Sequence, residues 1–247
     1  MDENNEINVN SSNETNETKN SQVNYSSKED LKKEASSTIS EVKDTIKNVK
    51  FKEDTAETKK FVTSFFKTPM DELKNIANSS EKQYKKVAMI LLGLWIAIIL
   101  LGNIFSIISR LNTFSYLYSN NFKYFLQIVL DLLTPIFVVV LLGGIIFFFN
   151  KKEKKSFLTI ASSVVIAKIP VIIAEAFSLL TFISSDMSKI TLPFSSFCSV
   201  ISTVLLYFAV KSLYNEEDDN KVLKSFAIIM AVYYVIAFFL KFLNIYI

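Results

Sequence analysis

Five apolar runs occupy the C-terminal two-thirds of the chain, and each is long enough to cross a bilayer as a helix. We place them at Val87 to Ile108, Tyr124 to Phe149, Phe157 to Ile183, Ile190 to Tyr214 and Val222 to Ile247. All exceed the roughly 20 residues that about 30 Å of hydrocarbon requires. Hydrocarbon offers no hydrogen-bond partners, so each run must satisfy its own backbone, which a helix does. The expected fold is therefore all-α: a polytopic membrane protein with five transmembrane helices. Because the turns between the runs are short, helices adjacent in sequence should pack antiparallel as neighbours.

The part before the runs has a different character. Residues 1 to 86 carry 15 Lys against 16 Asp and Glu, whereas residues 87 to 247 carry 12 basic against 8 acidic side chains. Neither part has the dense basic face that nucleic acid demands, so no nucleic-acid partner is expected. Residues 1–26 are mostly Asn, Ser, Glu and Thr, too polar to offset the entropy of ordering, and read as a disordered tail. Asn-X-Ser/Thr triplets there follow from the composition. No cleavable leader is expected at this polar start, which leaves insertion to the first span.

Residues 27–50 read as an amphipathic helix: Leu31, Ala35, Ile39, Val42, Ile46 and Val49 recur at spacings of three and four. Its narrow stripe and mixed Lys and Glu suit a protein partner or a second copy of the chain at least as well as lipid. A juxtamembrane segment, 51–86, contains the aromatic cluster Phe61, Phe65 and Phe66, placed at the lipid interface, and a turn at Thr68-Pro69. A short helix from Met70 to Ala77 follows, with Asp71 and Glu72 at its positive end. Lys82, Lys85 and Lys86 then stand where anionic lipid headgroups would meet them.

Lys and Arg near the span ends set orientation. With a cytoplasmic N-terminus the inner flanks hold ten such residues and the outer flanks four: Arg110, Lys123, Lys189 and Lys241. The expectation is a multi-pass protein of the cell membrane, N-terminus inside and C-terminus outside. The stretch Asn215 to Asn220 then forms a solvated acidic turn on the inner side.

Composition also removes chemistry. The chain has no His, so Ser-His and Cys-His nucleophilic pairs and His-containing zinc sites cannot be built. Its one cysteine, Cys198, lies in an apolar run and can form no intrachain disulfide or thiolate cluster. Four glycines do not supply a phosphate-cradling loop. A carboxylate-dyad membrane protease would want Gly-X-Gly-Asp, which is missing around Asp131. No enzyme, cofactor or metal site is expected.

Three ionisable residues interrupt the spans: Asp131 in the second, Lys168 and Glu175 in the third. A lone charge in hydrocarbon costs several kcal/mol, so these should face the bundle interior. At a rise of 1.5 Å per residue, Asp131 lies about 10 Å from one end of its span and Glu175 about 12 Å from the matching end of its own. The two carboxylates share a depth. Lys168, seven residues before Glu175, falls on the same face of a continuous helix, about 10 Å deeper. Two readings stand open: a proton, cation or headgroup pathway, and a structural polar network. Pro135 and Pro170 should kink their helices. Gly143-Gly144 should permit close helix approach, and Ser195, Ser199 and Ser202 form a small polar stripe.

These features together resemble the Yip family, five-span membrane proteins named for interaction with Ypt/Rab GTPases. The resemblance runs from about Phe61 to Ile247. It rests on a long polar N-terminus, Thr68-Pro69 before the first span, five helices, and a basic turn into Ser156-Phe157. Ala167-Lys168-Ile169-Pro170 and the run from Lys221 to Phe226 add to it. Eukaryotic members bind prenylated small GTPases and act in vesicle traffic, which the resemblance would imply only for a eukaryotic chain. The heavy Asn, Lys and Ile usage looks bacterial, and many bacterial members have no assigned role. Some begin with a zinc ribbon, but no Cys precedes Cys198 here. The function expected from sequence is a non-enzymatic membrane scaffold that recruits a partner through its N-terminal arm. The alternative is a small transporter or transport accessory using Asp131, Lys168 and Glu175.

Overall fold

A computed structural model of the chain describes residues 28–47, 51–78, 82–111, 121–150, 155–214 and 218–246. The polar tail, the basic turn at 151–154 and Asn215 lie outside them, as do the side chains of Lys82, Arg110, Lys123 and Lys241. Every regular element among the described residues is helical. The chain divides into two units, residues 1–37 and 38–247. In the first, the described part is the opening half of helix α1 (Lys28–Lys47). The second holds its closing half and α2 (Phe51–Lys67), α3 (Pro69–Asn78), α4 (Lys82–Leu111), α5 (Asn121–Phe149), α6 (Phe157–Ala167), α7 (Ile169–Ser178), α8 (Ser188–Tyr214) and α9 (Asp219–Tyr246).

Four helices, α4, α5, α8 and α9, are long and apolar enough to cross a membrane. The α6–α7 pair, bent by 47° and extended by a 3₁₀ turn at Leu179–Phe182, makes a fifth if it is counted as one span. The bend has a local cause. Pro170 has no N–H for the carbonyl four residues back, so the ladder fails where Lys168 adopts φ −88° and ψ 0°. Pro135 has a milder effect, because α5 continues through it as one helix. Proline lacks a donor in both places. What differs is that α5 keeps helical backbone on either side.

α6 is the axis of the packing. Residues Leu158 to Ala167 are all buried, enclosed by α3, α4, α5 and α8. Three hydroxyls on it are reconciled with burial locally: Thr159 pairs with the hydroxyl of the N-capping Ser156 at 2.9 Å, and Ser162 and Ser163 donate to Leu158 and Thr159 carbonyls at 2.8 and 3.0 Å. Gly143 brings α5 close, since a Cβ there would meet the Phe157 ring at 3.5 Å. Gly144 would meet nothing within 4 Å, so the two glycines do different jobs. Of the serine stripe on α8, Ser202 alone is buried, and its hydroxyl has no partner among the described residues.

The juxtamembrane segment is part of this core. Phe65 is 1% exposed and Leu73 0%, and α3 packs on α6 and α8. The expected aromatic cluster at the lipid interface is split accordingly. Phe65 turns inward, Phe61 packs on Phe65 and edge-on to Tyr84 with centroids 6.1 and 5.9 Å apart, and Phe66 stays exposed. The α2–α3 corner forms at Thr68, with Pro69 as the first residue of α3, where its missing N–H costs nothing. A hydrogen bond from Ser64 to Glu72, 2.7 Å, ties the corner. Lys85 and Lys86, expected at headgroups, are engaged by carboxylates: Lys85 by Glu41 of α1, Lys86 by the buried Asp54 of α2 at 3.5 Å. Helix α9 is peripheral, resting on α5 and α8 with 11% of its apolar window buried against 28 to 33% for α4, α5 and α8.

Candidate functional site

A cavity of about 440 Å³ opens among α4, α5, α7 and the 3₁₀ turn after α7. Both span carboxylates line it: Asp131 from the first half of α5 and Glu175 from the second half of α7. Their similar depths on antiparallel helices place both at this cavity. Asn103 and Ser106 enter from the last third of α4, and Thr134, Ser178 and Thr181 complete the polar wall. α4 meets the 3₁₀ turn at Gly102, where a Cβ would lie in ordinary contact with Leu179 Cδ2 at 3.4 Å.

The hydrogen bonds give this wall a sign. Thr134 donates to the Leu130 carbonyl at 2.9 Å, Ser178 to that of Glu175 at 2.6 Å, and Thr181 to that of Ser178 at 2.7 Å. Each hydroxyl has spent its proton on its own helix, so its oxygen can only accept within the cavity. Pro135 cannot donate to the carbonyl of Asp131, which leaves a further acceptor on the same turn. The Asp131 carboxylate takes one hydrogen bond, from the Gln127 amide at 2.7 Å. The Glu175 carboxylate has no hydrogen-bond or ionic partner among the described residues. With the Asn103 amide and the Ser106 hydroxyl as the side-chain donors in the lining, the cavity holds more acceptors than donors. It suits a cation, or a group that brings its own N–H or O–H.

Lys168 is not part of this lining. It is half-buried at the α6–α7 break, its N–H donating to the Val164 and Val165 carbonyls at 3.1 and 3.0 Å. Its ammonium has no partner among the described residues. The structure thus joins Asp131 to Glu175 and leaves Lys168 apart. Asn103, Ser106, Thr134, Ser178 and Thr181 are the polar lining residues that sequence reading passed over. Their signal was spacing: Asn103 and Ser106 stand three apart, one turn of one face, at the depth of Asp131.

The cavity lies toward one end of the bundle. Its residues come from the end of α4, the start of α5 and the end of α7, whereas the opposite half, built around α6, is filled by Ile160, Leu206, Leu213 and the α3 residues Leu73 and Ile76. Asn150 helps close that half, its amide donating to the Leu213 carbonyl at 3.2 Å. Compared with known proteins, the chain matches no family model, no curated protein and no solved structure.

Proposed function

We propose that the chain is a non-enzymatic, five-span protein of the cell membrane with its N-terminus in the cytosol, arranged in the Yip-like manner, and that its bundle binds a small cation as a transporter or transport accessory. The observation that carries this reading is the shared lining of one cavity by Asp131 and Glu175, beside three hydroxyls, of Thr134, Ser178 and Thr181, that present only acceptors. Two carboxylates lining one cavity, only one of which holds a hydrogen bond among the described residues, favour a guest that brings a proton or a positive charge. The N-in orientation is supported by the ten-to-four excess of Lys and Arg at the inner flanks.

The test is flux of protons and alkali cations into liposomes containing the full-length protein. The expected result is uptake above protein-free vesicles that falls by about tenfold or more in Asp131→Asn and Glu175→Gln, with equal reconstitution of all three proteins. Loss of the variants at expression would assign the pair to scaffolding. Absence of flux in the unmodified protein would return the function to the membrane scaffold. That second reading is favoured by Ile39 of α1, which stands 69% exposed and offers an apolar contact to a partner.

A further inference from the structure

A second hollow, about 850 Å³, lies under α2 and the end of α1, alongside the first half of α4. Its floor is Met89, Ile90, Gly93, Leu94 and Ala97, successive turns of one α4 face. These begin two residues into the apolar run and cover about 12 Å of its length. In the proposed bilayer the floor is at hydrocarbon depth.

The roof is chemically quiet. Thr58 donates to the Asp54 carbonyl at 2.7 Å and Thr63 to the Lys59 carbonyl at 2.9 Å, so neither offers a free proton to a guest. A peptide backbone placed there would leave its own polar groups unsatisfied at a cost of a kcal-scale penalty per group, which excludes an extended chain as occupant. Space over the floor is open, since a Cβ on Gly93 would meet nothing within 4 Å. The rim is basic: Lys59 and the adjacent Lys60 are exposed and have no carboxylate partner among the described residues, whereas Lys85 and Lys86 are matched by Glu41 and Asp54.

An apolar trough at acyl-chain depth, roofed by a helix that carries two unmatched cations, complements one kind of molecule. We propose that this trough holds an anionic phospholipid, one acyl chain along α4 under α2 and the phosphate at Lys59 and Lys60. The proposal rests on the reading that the bundle sits in a bilayer. It makes α2 a clamp that retains a lipid through exchange with the surrounding membrane, and it moves the headgroup contact from the lysines at the start of α4 to those of α2.

The test uses full-length protein in mild detergent, stripped of lipid and then offered dioleoyl phosphatidylglycerol or dioleoyl phosphatidylcholine, with adducts read by native mass spectrometry. One lipid per chain is expected, the anionic lipid favoured by about tenfold. Gly93→Phe fills the trough and should lower both adducts by about tenfold at unchanged helix content; Gly93→Leu serves if the larger ring impairs folding. Replacing Lys59 and Lys60 by Gln should erase the preference while the phosphatidylcholine adduct persists. Unchanged adducts in both Gly93 variants would overturn the site. Recovery of the unmodified protein in the soluble fraction without detergent would instead remove the membrane reading, whereas an embedded protein with no selective adduct removes the lipid site alone.

Discussion

Lys168 shows how far residue-level arithmetic reaches. Seven residues from Glu175 is two turns on one face, and that holds only along an unbroken helix. The 47° bend between α6 and α7 is centred on Lys168 itself, whose φ of −88° and ψ of 0° take it out of the helical register of α7. Depth, by contrast, survives a bend in a neighbour, which is why Asp131 and Glu175 were legible as a pair from rise per residue alone. An unpartnered, half-buried ammonium in an apolar span is a cost to folding, and replacing such a group by an apolar one of similar length relieves it. Lys168→Met is expected to raise the melting temperature in detergent by a few degrees, about 1 kcal/mol or more. A fall of that size, measured by fluorescence-monitored melting, would show that the ammonium is satisfied where it stands.

Elements were legible where their periodicity decides the matter and obscure where docking decides it. The five apolar segments announce themselves by length, and the α6–α7 break by Pro170. α2 and α3 read as amphipathic pieces of unknown destination. Nothing in the spacing of Phe61, Phe65 and Phe66 says which ring enters the core, because that depends on α3 folding back to meet α6 and α8. The Gly143-Gly144 pair is a similar case. Sequence marks both as places of close approach, yet a side chain at Gly143 meets Phe157 and Ala161 of α6 while one at Gly144 meets open space. Gly143→Leu should therefore push α5 from α6 and cost about 1–3 kcal/mol, whereas Gly144→Leu should be close to neutral. Equal chemical-denaturation midpoints for the two variants would refute this account of the α5–α6 contact.

At the scale of the molecule, hydrophobic burial is unequal between the two ends of the 38–247 unit. The half around α6 is closed by α3, with Leu73 and Ile76 essentially without exposure, while the half around α7 keeps its polar cavity. Removing the Leu73 side chain should cost about 2–5 kcal/mol through the void it leaves. In liposomes, Leu73→Ala should also raise ion leak, because water gains a way past α3; tight vesicles with the expected loss of stability would show that other core side chains suffice as the barrier. A hollow with a sealed bottom equilibrates with the compartment at its mouth and no other. On the proposed transport reading the concentration on that side alone sets how full the hollow is, and passage onward requires the packed half around α3 and α6 to open.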